Sequence, residues 1–204
     1  MDNYWEIFLE LALGVTLSAA AGFRVFLPPL ILSLASVFGH IQLSPDFQWV
    51  ASPEAVILLA IATVAEIIAF YIPFVDNLLD TVQIPLALVI GTLLTANSLG
   101  DLDPIAQWTI AIIAGGGAST AVAGLNGIAR LAFTGLTGGL ANFLLATAQA
   151  VSASALALIA VLVPILTPIV LLLLISIGVY LFLNFPKLKQ MLFRQNEQSS
   201  KEAN

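Results

Sequence analysis

The sequence predicts an all-α fold, a polytopic transmembrane helical bundle with about six hydrophobic segments. Of its 204 residues, 60% are hydrophobic and only 9% are charged, against roughly 25% in an ordinary soluble domain. Residues 81–100, 104–129 and 131–186 carry no charge, and each stretch exceeds the ~18 apolar residues that mark a candidate spanning helix. A water-soluble core of this size could not bury so much apolar surface. We therefore expect residues 1–186 to form one membrane domain.

The hydrophobic segments lie at residues 6–38, 54–73, 81–99, 105–123, 137–151 and 153–185. As straight helices, the first and last would each reach roughly 50 Å, whereas the hydrocarbon core of a bilayer is ~30 Å thick. Pro28 and Pro29 interrupt the first segment, and Pro164 and Pro168 interrupt the last. Because proline removes a helical hydrogen bond, we expect kinked or broken first and last helices. Broken helices line cavities in transporters; the alternative is a tilted, kinked helix with one end outside the membrane.

Three predicted helix starts carry capping chemistry. Ser52-Pro53-Glu54 has the pattern of an N-cap, an N1 proline and a first-turn acid, and Asp103-Pro104 repeats it before the fourth segment. Asp80-Thr81-Val82-Gln83 has the spacing of a capping box, which predicts that the third helix opens at Asp80. Asp76 and Asn77 would then build the turn before it.

Four of the six basic residues lie near the C-terminus, at Lys187, Lys189, Arg194 and Lys201. The positive-inside rule therefore predicts a cytoplasmic C-terminus, with residues 187–204 as a polar, disordered tail. Counting back through six crossings puts Arg130 at or near the cytoplasmic side and the N-terminus inside. The acidic loops around Asp46 and Asp101 would then lie outside.

Glu66 is the first candidate for function. A carboxylate at membrane depth is costly unless it faces the bundle interior, pairs with a cation or lines a polar path. Glu66 lies roughly 18 Å into the second segment. If that helix continued, Pro73, Asn77 and Asp80 would share its face. The alternative is a structural carboxyl group held by an ion pair or a hydrogen bond from a neighbouring helix.

Arg24 lies near the middle of the first segment, where it needs an anion or backbone carbonyl groups. Its natural partners are Glu66, Asp76 or Asp80, and such a pair could be a packing contact or a site that ligand binding opens. Arg130 is expected to extend towards the membrane interface. The ion- or solute-binding candidates are thus Glu66, Asp76, Asp80 and Arg24, with Asn77, Arg130 and Asn142 as a secondary polar lining.

Small residues predict close helix packing along Gly14-xxx-Ser18-xxx-Gly22 and Gly135-xxx-Gly139. The same faces could contact a second copy of the chain or another membrane protein. Interhelical hydrogen bonds, or a polar cavity lining, are expected from Asn126, Asn142, Thr147 and Gln149.

The sequence indicates no enzyme activity, cofactor or bound metal. It has no cysteine, its single histidine is in a loop, and it contains no Ser-His-Asp or HExxH pattern. Asp76 and Asp80 are spaced to share a magnesium ion, but a DxxxD pattern is common by chance. The net charge of −6 argues against a nucleic-acid partner, because binding phosphates requires a basic surface.

Two sequence elements resemble those of a known family. Ala21-Gly22-Phe23-Arg24-Val25-Phe26-Leu27-Pro28 contains a Gly-Phe-Arg…Leu-Pro element. Glu66 followed by Ile72-Pro73-Phe74-Val75-Asp76-Asn77-Leu78-Leu79-Asp80 resembles a Glu…Val-Pro-x-Val-Asp-x-Leu-Leu-Asp element, with Ile72 in place of its first valine. On these residues the chain resembles DUF4126, a bacterial family of small integral membrane proteins grouped as a domain of unknown function.

The resemblance implies a multi-pass protein of a bacterial inner or internal membrane and supplies no activity. It weakens after Gly117, where Arg130 and Asn142 are the remnants of the family's polar positions. The leading hypothesis is a small-ion or small-solute transporter or channel in which Glu66 binds a cation or proton. When no cation or proton is bound, Arg24 would hold the Glu66 carboxylate. The alternative is a non-catalytic membrane assembly or scaffold protein. A magnesium-dependent intramembrane transferase using Asp76 and Asp80 ranks last.

Overall fold

Helices make up nearly all of the chain that the computed structural model describes, and no strand occurs in that part. It covers residues 2–72, 75–137, 142–177, 179 and 180, without the side chains of residues 2, 3, 76–78, 80, 132, 133 and 135–137. The helices are α1 (Asp2–Phe23), α2 (Leu27–Val37), a short 3₁₀ helix (Pro45–Ala51), α3 (Pro53–Phe70), α4 (Val75–Ser98), α5 (Pro104–Ile110), a π-helical segment (Ala111–Gly116), α6 (Gly117–Thr137), α7 (Asn142–Leu162) and α8 (Pro164–Ile177).

The predicted membrane bundle is confirmed by five helical stretches, within the described part of the chain, that are long and apolar enough to cross a bilayer. They are Tyr4–Phe23, Pro53–Phe70, Thr81–Ser98, Pro104–Leu131 and Asn142–Leu162, whereas α2 and α8 are shorter. Residues Met1–Pro168 form one compact unit, and a second begins at Ile169. The predicted cytoplasmic tail lies outside the described residues, so its orientation and disorder remain predictions.

The first hydrophobic segment is broken, as expected, and it folds back on itself. Helix α1 runs antiparallel to α4, since Gly14 lies against Thr95 and Ser98 while Gly22 lies beside Gln83. After the break, α2 leads back to the starting end of the bundle, where the Ser44 N–H donates to Asn97 Oδ1 at 3.1 Å.

This hairpin changes the predicted topology. The start of α1 lies at the same end of the bundle as the 3₁₀ helix and the loop of Asp101, because all three adjoin the Ser98 end of α4. The sequence-based count placed them at opposite ends because it assumed that residues 6–38 cross the membrane once.

The third helix begins earlier than predicted. Helix α4 starts at Val75 rather than at Asp80, so the capping-box interpretation is wrong, and Asp76 and Asn77 belong to the helix rather than to a turn. Helix α3 ends at Phe70. Glu66 and Asp80 therefore do not share a face of one continuous helix, which is consistent with Pro73 disfavouring helical backbone just before it.

The segment boundaries in the second half were also wrong. Helical structure continues from Pro104 to Thr137, and α7 continues past residue 152 to Leu162. Side chains beyond residue 123 explain the first difference, since Asn126 Nδ2 donates to Gly22 O of α1 and Arg130 Nη2 donates to Gln149 Oε1 of α7. These contacts stabilise the helix despite its poor local propensity. The caps predicted at Ser52 and Asp103 are confirmed: Ser52 Oγ accepts from the Ala55 N–H and Asp103 Oδ1 from the Ile105 N–H.

The small residues predicted to allow close packing do so within the chain. Ser18 Oγ is 2.6 Å from the Gly91 carbonyl oxygen, and it shares a hydrogen bond with Thr95 Oγ1 at 2.8 Å. Gly14 and Gly22 of the same face lie against α4 and α6. The face Gly14–Ser18–Gly22 thus joins three helices of one molecule, while Gly135 and Gly139 fall outside the described side chains.

Candidate functional site

The break between α1 and α2 is closed by the carboxylate of Glu66. Glu66 Oε1 accepts a hydrogen bond from the Val25 N–H at 2.7 Å, and Oε2 accepts one from the Phe26 N–H at 3.1 Å. These two N–H groups lie at the start of α2, where the helix dipole favours negative charge. Glu66 is only 7% exposed. Its carboxylate is therefore stabilised inside the bundle by these two N–H groups rather than by bulk water.

The carbonyl groups at the end of α1 have polar partners too. The Gln83 side-chain amide donates to Gly22 O at 3.3 Å and to Phe23 O at 3.2 Å. Asn126 Nδ2 also donates to Gly22 O, at 3.0 Å, which confirms its predicted interhelical hydrogen bond. Within a bilayer, backbone groups freed by a helix break must find partners in the protein. Glu66, Gln83 and Asn126 supply them.

Two buried arginines contact the ring of Phe70. The Cζ atom of Arg24 lies 4.0 Å from the ring centroid, and that of Arg130 lies 4.8 Å from it. Arg24 is 0% exposed and Arg130 is 2% exposed. Cation–π attraction is strongest where the charge is desolvated, so Phe70 helps to hold both guanidinium groups in the bundle.

Helix α7 supplies hydrogen-bond acceptors to both arginines. Arg24 Nη2 donates to Ala146 O at 2.8 Å, and Arg130 Nη2 donates to Gln149 Oε1 at 3.0 Å. Arg24 therefore uses a backbone carbonyl group, as expected, and it also interacts electrostatically with Glu66. The prediction that Arg130 extends to the interface is wrong. Its guanidinium group lies inside the bundle, because it contacts the Phe70 ring and donates a hydrogen bond to Gln149 there.

A cavity of about 270 Å³ lies between α3, α4 and the break. Glu66 and Gln83 are the polar residues among those described on its wall. The apolar residues that line it are Val25, Phe26, Ala62, Ala65, Ala69, Phe70, Leu79, Val82 and Leu86. The carboxylate that closes the break thus also borders a space large enough for a small ligand.

The other predicted site residues are not among the described residues that line the cavity or bind at the break. Asp76, Asn77 and Asp80 lie in the first turns of α4, but their side chains are outside the described part of the chain. Asn142 exchanges hydrogen bonds with Thr134 at 3.1 and 3.2 Å, joining α6 to α7. Among the described residues, no group of three or more His, Asp or Glu side chains could hold a metal ion.

Sequence reasoning missed the roles of Phe70 and Gln83. Phe70 lies four residues after Glu66, on the same helical face, and this spacing was the signal that could have found it. Gln83 was assigned to a capping box, although a polar side chain in an uncharged, membrane-length stretch also indicates an interhelical role.

Replacing Gln83 with leucine is expected to destabilise the folded protein by about 1–3 kcal/mol, because the Gly22 and Phe23 carbonyl groups would lose a buried donor. Thermal unfolding of the purified protein in detergent measures the change. Gln48→Leu is the matched control, since Gln48 is exposed on the 3₁₀ helix. Equal effects of the two substitutions would contradict the role assigned to Gln83.

Comparison with known proteins identifies a family without an assigned activity. The family described as domain of unknown function DUF4126 matches residues 11–184. No curated protein and no solved structure matches the chain. The match covers all of the residues that build the break, the arginine pair and the cavity. The chain is therefore a member of the DUF4126 family of domains of unknown function.

Proposed function

We propose that this membrane protein is a non-enzymatic transporter or channel for a small ion or small solute, with Glu66 at its binding site. One observation carries the proposal: the Glu66 carboxylate closes a helix break inside the bundle and also lies on the wall of a cavity. Ionisable residues within spanning segments commonly mark transport pathways. Transporter sites are commonly built where interrupted helices expose backbone groups.

The hydrogen bonds of Glu66 suggest how binding would be coupled to movement. A proton that binds the carboxylate removes its charge and so weakens the hydrogen bonds that it accepts from the Val25 and Phe26 N–H groups. Binding would therefore loosen the connection between α3 and the α1–α2 hairpin. Arg24, which interacts electrostatically with Glu66, favours the charged carboxylate and so the closed break when the site is empty.

A flux assay in proteoliposomes tests this function. The purified protein is reconstituted, and the uptake of protons, monovalent cations and small neutral solutes is measured one at a time. Glu66→Gln is expected to reduce the flux of the transported species by at least about tenfold, the effect of losing one charged hydrogen-bonding group. Glu54→Gln is the matched control, because Glu54 is exposed in the first turn of the same helix.

Two results would contradict transport through this site. The first is an equal flux through the wild-type and Glu66→Gln proteins. The second is the absence of flux above that of empty liposomes for every species tested. Monodisperse elution of each variant before reconstitution separates loss of flux from loss of folding.

We further propose the membrane and the orientation that the sequence indicates, a bacterial inner or internal membrane with the C-terminus in the cytoplasm. The basic residues of the tail support the orientation. Proteolysis of the tail in inverted compared with right-side-out vesicles would test it.

An assembly or scaffold role is the alternative. The face Gly14–Ser18–Gly22, which could have served a partner, is covered by α4 and α6 of the same chain, so this role would require another surface. A stoichiometric partner recovered from native membranes, together with no measurable flux, would favour assembly over transport.

A further inference from the structure

A second, smaller cavity lies farther along α4, between α4, α2 and the 3₁₀ helix, and Leu59 is the α3 residue described on its wall. It has a volume of about 80 Å³. On α4, the first cavity is lined from Leu79 to Leu86 and the second from Ile90 to Asn97, at helical spacings of three and four residues. This stripe of α4 is roughly 27 Å long, close to the ~30 Å thickness of a hydrocarbon core. The α4 stripe is therefore nearly as long as the membrane is thick.

The first cavity borders the outer surface of the bundle. Its wall includes exposed residues from both helices, Ala65 on α3 and Val82 and Leu86 on α4. The exposed fraction is 40% for Val82 and 39% for Leu86. These residues belong to the candidate membrane spans Pro53–Phe70 and Thr81–Ser98, so the surface around them faces lipid. A ligand would enter this cavity sideways from the bilayer.

The polar atoms on the described wall of the cavity favour a hydrogen-bond donor. Each Glu66 oxygen accepts one backbone N–H and has further lone pairs for another donor. The amide N–H groups of Gln83 donate to α1, which leaves its carbonyl oxygen as an acceptor. A ligand that carries only acceptors would find no complementary group on these two side chains.

The nearby guanidinium groups indicate that the donor is uncharged. Arg24 and Arg130 both contact Phe70, and the Phe70 ring lines the same cavity. A cationic head group next to Glu66 would therefore lie close to two positive charges in a medium of low dielectric constant. A hydroxyl group donates to the carboxylate without that repulsion.

We propose that the cavity between α3 and α4 binds the hydroxyl group of an uncharged, long-chain amphiphile from the bilayer, with Glu66 as the acceptor and with the apolar cavity wall and the α4 stripe holding its hydrocarbon chain. The proposal that the cavity binds an amphiphile is argued from the cavity and does not depend on transport. That such an amphiphile is the transported solute rests on the proposed function.

Photolabelling tests the proposal with a defined probe. The protein in lipid nanodiscs is exposed to a diazirine-bearing long-chain alcohol, and hexadecanol, hexadecylamine and hexadecane are added as competitors. We expect labelling of α3 and α4 peptides, with hexadecanol as the strongest competitor and hexadecane as the weakest. Stronger competition by the amine, or labelling no greater than that of an unrelated membrane protein, would overturn the proposal.

A pair of alanine substitutions on α3 supplies the matched control. Ala62 and Ala60 are both half-buried, but only Ala62 is among the described residues that line the first cavity. Ala62→Leu is expected to reduce labelling by at least about tenfold because its side chain occupies the space of the ligand, whereas Ala60→Leu leaves labelling unchanged. Equal labelling of the two variants would overturn the proposed site.

The flux assay and the photolabelling experiment test separate claims, so either claim can fail without the other. Labelling at α3 and α4 without flux of any solute would retain the amphiphile site and reject transport. Flux that depends on Glu66, without labelling, would retain transport and reject the amphiphile.

Discussion

Replacing Glu66 with alanine is expected to destabilise the folded protein by about 3–5 kcal/mol, because each of two buried N–H groups left without an acceptor costs ~1–3 kcal/mol. The substitution leaves the Val25 and Phe26 N–H groups without the carboxylate that accepts from them, in a region where water cannot replace it. It also removes the negative charge that interacts with Arg24. The start of α2 and the end of α3 would then no longer be joined.

Thermal unfolding in detergent, followed by the loss of monodisperse protein, measures this effect. Glu54→Ala is the control on the same helix, and its exposed side chain should contribute no more than about 1 kcal/mol through the helix dipole. Glu66→Gln is expected to be intermediate, since the amide retains one acceptor oxygen but presents its NH₂ group to the second N–H. If Glu66→Ala unfolded at the same temperature as Glu54→Ala, the carboxylate would not be closing the break.

Replacing Gly22 with alanine is expected to destabilise the protein by about 3 kcal/mol, near the upper end of typical overpacking effects. An added Cβ atom would lie 2.5 Å from the Ser119 carbonyl oxygen and 2.6 Å from Val122 Cβ. Both atoms belong to α6 and cannot move without shifting that helix. The same shift would disturb the hydrogen bond from Asn126 to the Gly22 carbonyl, next to the break.

Gly124→Ala on α6 is the control for this substitution. No atom lies within 4 Å of a Cβ added at Gly124, so this change should stabilise α6 by up to about 1 kcal/mol through helix propensity. The two variants should therefore shift the unfolding temperature in opposite directions. Shifts of the same sign and size would show that Gly22 is not at a tight helix contact in the folded protein.

The sequence was sufficient to predict the membrane fold, the break in the first helix and the burial of Glu66 in the bundle. These features depend on local properties: the length of uncharged runs, the lost hydrogen bonds at Pro28 and Pro29, and the position of an acid within an apolar segment. The small-residue spacing of Gly14, Ser18 and Gly22 likewise predicted close packing, because helix packing in lipid depends on how near two backbones can approach.

The number and ends of the helices in the second half could not be predicted in the same way. Glycine and threonine are weak helix formers, so the stretch from Gly124 to Thr137 resembles a segment boundary when it is examined alone. Its helix continues because Asn126 and Arg130 find hydrogen-bond acceptors on α1 and α7, and residues so distant in sequence leave no local signal. Gln83 was misassigned for the same reason, since its hydrogen-bond acceptors lie some 60 residues earlier in α1.

By itself, the sequence determined that this chain enters a membrane, that its first helix breaks and that Glu66 lies within a long apolar stretch, because each property is set by neighbouring residues. The tertiary structure alone decided that α1 and α2 form a hairpin, that Glu66 closes its break and that Arg24 and Arg130 meet at Phe70. Those outcomes depend on which distant groups can satisfy a buried charge or a freed backbone amide, and that choice exists only once the helices are packed together.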